Sequence, residues 1–311
     1  MTVPLVDLLC CPQDLSAPLE AGPDDLACPQ CGTRFPVREG IVSFLSAQEL
    51  SDQDHRERAM RDEESSWYDP MFEGYTDAVE VPTAVRRLGQ PDGPILDAGC
   101  GTGRITEALL PLGQPIVAVD YSDACLRRML AKTGAAAAPV LAVQSDLRAL
   151  PLRTGVMAAA TCIETYSQFR RDDRRRILAG LARVLRPGAP LSISAFNFNA
   201  LFRLWAAKGN AGAREGEHML GGDYYYYRFT KAELREELEE HFDVEEVVGI
   251  RNIPARSLAE GLRKVGMAPA AGRFLDYMVD RGHRADFWLE QTPLADAAGF
   301  FWQAKAVARR R

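Results

Sequence analysis

No apolar run in the 311-residue chain approaches the roughly 18 residues that a membrane-spanning helix requires. A chain that crosses a membrane by helices is therefore not expected. The opening "MTVPLVDLLCC" lacks the basic start and apolar core of a secretory leader, so a cytoplasmic protein is the expectation. Positive charge is not in excess either: Lys and Arg number 37 against 43 Asp and Glu, a net charge of −6. That balance argues against indiscriminate binding to nucleic acid and leaves room only for a local basic patch. Seven cysteines, an odd number without a leader, suit reduced thiols better than a disulfide framework, and no disulfide-linked partner is expected. What is present is globular: 47% hydrophobic and 26% charged residues, in a length that suits one large α/β domain with a small appendage.

The stretch "ILDAGCGTGRITEAL", residues 95 to 109, joins an apolar run to three alternating glycines and a helical pattern. Without a Cβ, Gly99, Gly101 and Gly103 let the main chain turn tightly and approach a ligand closely. Ile105, Ala108 and Leu109 then recur at i, i+3 and i+4, one face of a helix. Strand, glycine loop and helix are the opening unit of a nucleotide-binding α/β sheet.

A series of strands follows. "PIVAVDYS" ends in Asp120, about 20 residues past the glycines, where a carboxylate can accept hydrogen bonds from two ribose hydroxyls. "PVLAVQSDLRALPL" places Asp146 at the carboxyl end of a third strand, and "GVMAAATCIETYSQF" places Glu164 and Tyr166 just past a fourth. A basic helix, "RRDDRRRILAGLARVLRPGAP", leads to a fifth strand, "LSISAF". Ligands of such sheets bind outside the carboxyl ends of the strands, so Gly99, Asp120, Asp146 and Glu164 converge on one rim.

The loop reads D-x-G-x-G-x-G from Asp97, not the G-x-G-x-x-G of dinucleotide enzymes. A carboxylate there would repel a pyrophosphate and could pair with an ammonium. A nicotinamide-dependent reductase is accordingly the distant reading. In their order, "ILDAGCGTGR", "VAVDYS", "SDLRALPL", "TCIETYSQF" and "RVLRPGA" resemble the class I S-adenosylmethionine-dependent methyltransferases over roughly residues 90 to 255. The resemblance implies a Rossmann-like, seven-stranded, mostly parallel sheet with an antiparallel last strand. It implies that Gly99, Gly101 and Gly103 line the methionine part of S-adenosyl-L-methionine, and that Asp120, with Tyr121 beside it, holds the ribose. Asp146 would face the adenine amino group, Leu147 would offer backbone beside it, and Ile163 and Glu164 would face the transferred methyl. Two positions depart from the family: Met157 and Ala158 replace the usual Phe-Asp, and Gln168 replaces a histidine often found there.

The first 45 residues form a separate unit in sequence. Cys28 and Cys31 make a well-formed C-x-x-C knuckle, whereas the first knuckle has Cys11 followed by Asp14, with Cys10 adjacent. Zinc accepts carboxylate oxygen, so a site of Cys11, Asp14, Cys28 and Cys31 is chemically allowed; a ribbon that has lost its metal and rests on a small apolar core is the alternative. "LLCCPQDLSAPL", "ACPQCGTRFPVREGI" and "VSFL" resemble the zinc-ribbon activator subunit that partners several tRNA, ribosomal-RNA and protein methyltransferases, here fused to its enzyme. An N-terminal ribbon of a bacterial ribosomal guanine methyltransferase is a looser match. The ribbon's acids outnumber its bases, which makes it a poor grip on phosphate.

Residues 46 to 89 read as a linker with a charged surface helix and the aromatic cluster Trp67, Tyr68, Phe72 and Tyr75, suited to cover a cofactor or to pack in the core. Residues 90 to 311 read as the methyltransferase domain. Its C-terminal part gives a helix near Thr230 with Glu233 in a capping box, a strand at Val244 to Ile250, and "GFFWQAKAVARR" as a closing edge strand in an antiparallel hairpin. Insertions at 196–228 and 251–297 would build the acceptor pocket, with Tyr224 to Tyr227 as wall or packing. The expected function is methyl transfer to an O, N or C acceptor, favouring a small molecule. Glu164 would be the base and Tyr166 would orient the acceptor. A tRNA or rRNA methyltransferase using the ribbon, and a noncatalytic S-adenosylmethionine-binding module, are the alternatives.

Overall fold

Short apolar strands with small residues between them make the centre of the molecule. In this computed structural model, the described residues are 5–45, 50–66, 74–134, 136, 138–199, 214–216, 225–253, 258–259, 262 and 264–309. Strands β1 (Glu20–Ala21), β2 (Asp25–Ala27), β3 (Arg34–Arg38) and β4 (Ile41–Ser43) run antiparallel to one another. Helix α1 (Asp52–Glu64) starts at Ser51, whose hydroxyl and backbone form a capping box with Asp54, and α2 (Tyr75–Arg86) follows. Then β5 (Ile95–Ala98), α3 (Arg104–Leu109), β6 (Ile116–Asp120), α4 (Asp123–Thr133), β7 (Val140–Gln144), β8 (Ala159–Cys162), α5 (Arg171–Val184) and β9 (Pro190–Phe196) alternate along the chain.

Strands β7, β6, β5, β8 and β9 lie side by side and parallel. Alternate residues point to opposite faces, so Leu96 and Val117 enter one core with Ile177 and Leu181 of α5, while Ile95 and Ile116 enter another with Ala84 of α2 and Leu109 of α3. Helices on both faces explain why these strands read as continuous apolar runs.

After the small pair β10 (Glu215–Gly216) and β11 (Tyr226–Tyr227), α6 (Lys231–Glu239) begins at Thr230 with the expected Glu233 capping box. β12 (Phe242–Ile250) is followed by α7 (Ala268–Tyr277), α8 (His283–Glu290), α9 (Leu294–Ala298) and β13 (Phe301–Ala308). β13 is not the edge strand that its alternation suggested. It lies antiparallel between β9 and β12, and β12 forms the edge.

Among the described residues the sheet has eleven strands, not seven, because the first 45 residues do not stand apart. β4 pairs in parallel with β7, Ile41 opposite Ala142 and Ser43 opposite Gln144, so the four N-terminal strands continue the sheet. The union is also apolar: Leu9, Leu26, Phe35 and Phe44 share a core with Val143, Leu150, Leu152 and Met157. The rings of Phe35 and Phe44 stand 4.5 Å apart. Backbone bonds from Cys10 N to Pro151 O (2.9 Å) and from Arg153 N to Leu8 O (2.8 Å) close the seam.

The basic helix is not wholly solvated. Arg174 on α5 is buried, paired with Glu237 of α6 at 2.8 and 2.9 Å, and lies over the rings of Tyr227 and Phe229 at 4.7 and 4.8 Å. Tyr75 is core, with its hydroxyl donating to the buried Asp286 of α8. Trp67, Tyr68, Phe72 and Tyr224 lie outside the described residues.

Candidate functional site

The loop between β5 and α3 takes a left-handed backbone at each glycine: φ is +76° at Gly99, +51° at Gly101 and +89° at Gly103. Their surroundings differ. A Cβ on Gly99 would lie 2.4 Å from Thr165 Oγ1, and one on Gly103 would lie 2.5 Å from Met129 Cγ. One on Gly101 would meet nothing within 4 Å, because that residue opens onto a cleft at the carboxyl ends of the strands. Gly99 and Gly103 permit packing, and Gly101 leaves room.

The cleft encloses about 110 Å³ and is lined by Gly99, Gly101, Asp120, Tyr121, Asp146, Leu147 and Glu164 among the expected residues. Asp120, at the end of β6, accepts hydrogen bonds from Gly101 N (2.8 Å) and Ser122 N (2.9 Å), which ties the glycine loop to the strand. Burial pushes its carboxyl up, against the pull of those two amides. Each oxygen keeps a lone pair for a further donor, as two vicinal hydroxyls would supply. Tyr121 Oη is buried and without a hydrogen-bond partner in this arrangement. An open cradle at Gly101, free lone pairs on Asp120 and an orphaned phenol beside them fit an adenosyl ligand.

Asp146 caps the turn at Leu147–Ala149 by accepting from Arg148 N (2.7 Å), and its other oxygen accepts from Arg148 Nε (2.9 Å). Arg148 also reaches Asp54 Oδ1 at 2.7 Å. Helix α1 thus forms one wall of the cleft through Asp54, Glu57, Arg61 and Glu64, where its charge pattern suggested a surface helix. It is fastened there by Asp62, which accepts from Ser122 Oγ, and by Arg61 Nη2, 2.7 Å from Gln168 Oε1. Gln168, at the position where a histidine was expected, donates to Glu164 O at 2.8 Å.

Four expected residues are not at the cleft. Asp97 lies beneath the loop, with Oδ2 accepting from Thr106 Oγ1 (2.6 Å) and Oδ1 from Thr161 Oγ1 (2.8 Å). Burial pushes its carboxyl up to about 6, so it braces the loop and does not face a ligand ammonium. Gly103 packs on Met129, and Ile163 packs with Ile95 and Ile105. Tyr166 is fully buried and donates to Glu237 Oε2 at 2.6 Å, because the turn after β8 points it into the core beside Phe229. It is not placed to orient an acceptor.

Glu164 holds a left-handed backbone, φ +55°, on which its N–H reaches Ser194 Oγ at 2.7 Å. Its side chain is buried, with Oε2 3.5 Å from Arg104 Nη2 and Oε1 3.3 Å from Arg251 Nη1. Arg251, just past β12, is also left-handed (φ +57°), and its guanidinium lies over the rings of Phe300 and Phe301 at 5.1 and 5.0 Å. Glu164 lines the cleft and Arg251 pairs with it, two non-glycine residues in a conformation that clusters at functional sites. Burial, then the charge of Glu80, pushes the Glu164 carboxyl up to about 8. Arg104, Arg251 and Glu80 were not read from the sequence.

At the far edge of the sheet, one donor atom from each of Cys11, Asp14, Cys28 and Cys31 falls within 4.8 Å of all the others. Cys11 Sγ and Cys31 Sγ are 3.7 Å apart, and Cys28 Sγ is 3.4 Å from Asp14 Oδ2. With Zn–S bonds of ~2.3 Å, a tetrahedral site has S···S edges of about 3.8 Å, so the spacing suits that ion. Cys10 is outside the cluster.

Residues 95–188 match the family described as "Methyltransferase domain". A ubiquinone biosynthesis O-methyltransferase of Thiobacillus denitrificans is 30% identical over 169 residues, which is 51% of this chain and 68% of that one. Its counterpart in Xanthomonas oryzae pv. oryzae is 30% identical over 182 residues, 56% and 72% of the two chains. Among solved structures, the fold is shared with Burkholderia thailandensis 1,6-didemethyltoxoflavin-N1-methyltransferase (TM-score 0.53, 18% identity, 85% of this chain and 93% of that chain). It is shared too with a chain in the complex between the Haloferax volcanii Trm112 methyltransferase activator and a methyltransferase (TM-score 0.54, 18% identity, 81% and 98%). With the glycine cradle, the carboxylates at the strand ends and these relatives together, the chain belongs to the class I S-adenosylmethionine-dependent methyltransferases.

Proposed function

We propose that the chain methylates a small-molecule acceptor through a hydroxyl or amine, with Glu164 taking the acceptor's proton. The observation that carries this reading is the position of Glu164, a buried carboxylate on the wall of the same cleft as Gly101, Asp120 and Asp146. S-adenosylmethionine, when bound, supplies an activated methyl on a sulfonium. Asp120 would accept from its ribose hydroxyls, and Gly99 and Gly101 would give backbone contact with its amino-acid part. Glu164 would take the proton that the acceptor loses as it is methylated. Holding the acceptor in line and excluding water supplies most of what such a reaction needs, up to roughly 7 to 11 kcal/mol. The O-methyltransferases among the relatives favour a hydroxyl acceptor.

The test is to incubate the protein with a methyl-labelled donor and separate RNA, protein and metabolite fractions. Label in the metabolite fraction alone is expected. Label confined to RNA would overturn the small-molecule reading, and label in none would favour a module that binds the donor without transfer.

For residues 1–45 we propose a zinc ribbon that acts in cis where its relatives act as separate activators. The support is the tetrahedral spacing of Cys11, Asp14, Cys28 and Cys31 and the continuity of β4 with β7. The ion would be structural, holding the two knuckles together. Purified protein is expected to contain about one zinc per chain by elemental analysis. Asp14→Ala and Cys31→Ala should lower that content, and chelation should lower the unfolding temperature by several degrees, on the order of 1 to 2 kcal/mol. A parent protein free of metal would refute the site.

A further inference from the structure

Arg104 stands between three carboxylates, and its bonds to them are unequal. It reaches Asp77 Oδ1 and Glu80 Oε2 at 2.7 Å each, but Glu164 Oε2 only at 3.5 Å from the same Nη2 that holds Glu80. Arg251 also stays at 3.3 Å from Glu164. Bonds between guanidinium and ionised carboxylate are usually 2.7 to 2.9 Å long, roughly. The short contacts tie Arg104 to Asp77 and Glu80 and leave Glu164 at the periphery of its guanidinium.

Three carboxylates, Asp77, Glu80 and Glu164, face two guanidiniums, Arg104 and Arg251, so one proton held within the group would balance its charge where Glu80 and Glu164 are both buried. Glu80, fully buried on α2, has one more peculiarity: its Oε1 is sealed from solvent and receives no hydrogen bond. A proton on Glu164, whose carboxylate shares Arg104 Nη2 with Glu80, would supply that bond.

We propose that Glu80 and Glu164 share one resting proton and that Glu80 is a positioning residue: once that proton has left to solvent, Glu164 takes the proton of a weakly acidic acceptor such as a phenol-like hydroxyl. This rests on the reading of Glu164 as the acceptor-side base. The charged groups around Glu164 are Glu80 and, through Arg104, Asp77 on α2; Arg104 on α3; Arg251 beyond β12; and, across the cleft, Glu57, Arg61 and Glu64 on α1 with Asp120 and Asp146. Glu80 is the one carboxylate among them that shares an arginine nitrogen with Glu164. Burial and that neighbour push Glu164 up to about 8.

The sign of the pH effect follows. From the ordinary value of 4.5 up to about 8, the folded chain keeps a proton that the unfolded chain has lost. Stability should fall as pH rises through that window, with the full cost present above it.

The experiment is carbon-13 NMR of the full chain labelled at glutamate side-chain carboxyls, titrated without donor or acceptor. Wild type is expected to show one glutamate carboxyl titrating near pH 8. In Glu164→Gln that resonance should vanish, and in Glu80→Gln its midpoint should fall below about pH 7 because the like charge is gone. The urea midpoint of wild type should drop between pH 5 and 8 relative to Glu164→Gln. A wild type with no glutamate titrating above about pH 6 overturns the proposal, whether or not either variant folds. So does an unchanged midpoint in Glu80→Gln. Neither readout needs methyl transfer, so either failure would leave the methyltransferase reading standing, and failure of the acceptor assay would leave these readouts in place.

Discussion

Asp120→Ala is expected to weaken binding of S-adenosylhomocysteine by at least about 100-fold, or ~3 kcal/mol, as read by calorimetry. The reason is a double duty. The half-buried carboxylate accepts from Gly101 N and Ser122 N, and its remaining lone pairs are the ones a ribose diol would use. Charge-assisted hydrogen bonds contribute about 1.5 to 3 kcal/mol each, so losing two to the ligand already accounts for the effect. The alanine also leaves two backbone amides unpaired and frees the loop whose shape the donor requires. Asp120→Asn should recover little, because one oxygen becomes an NH₂ group facing a backbone N–H. Full affinity in Asp120→Ala would mean that the ligand lies elsewhere, and the cradle reading would fall with it.

The parallel centre of the sheet was legible because it is written locally. Apolar runs end in Gly99, Asp120, Asp146 and Glu164, and sheet topology brings such ends to one rim. The cleft contains all four of those residues. Contacts made through backbone were not legible. The pairing of β4 with β7 joins the N-terminal strands to a sheet about 100 residues later using N–H and C=O groups that every sequence has, so eleven strands could not be read from the residues.

Helix α1 was opaque for another reason. Its charges of both signs are what a solvated helix carries, yet Asp54, Arg61 and Asp62 spend theirs on Arg148, Gln168 and Ser122. Tyr166 was misread because a turn follows β8, so proximity to Glu164 in sequence did not carry over into the same direction in space. Arg251 gave no signal at all: a positive φ is uncommon for arginine, so its own preference does not announce the turn it makes just past β12.

The two glycines that look alike in the sequence should fail in different ways. Gly103→Ala is expected to cost about 3 kcal/mol of stability, measured by chemical denaturation, from two sources. A left-handed alanine costs about 1 to 2 kcal/mol and an overpacked contact about 1 to 3. The contact is firm, since the added Cβ would sit 2.5 Å from Met129 Cγ, 2.9 Å from its Cβ and 3.1 Å from its Cα, and backbone cannot swing aside. Gly101→Ala carries only the conformational part, near 1 kcal/mol, because nothing lies within 4 Å of the new methyl. That empty space is the point: it faces the cleft, so the methyl should occupy volume meant for the donor and reduce its affinity tenfold or more, about 1.4 kcal/mol. Loss of folding at one position with loss of binding at the other, two residues apart, would separate the glycine that serves the helix from the one that serves the ligand. If Gly101→Ala bound S-adenosylhomocysteine as tightly as wild type, the bare main chain at Gly101 would have no part in holding the donor.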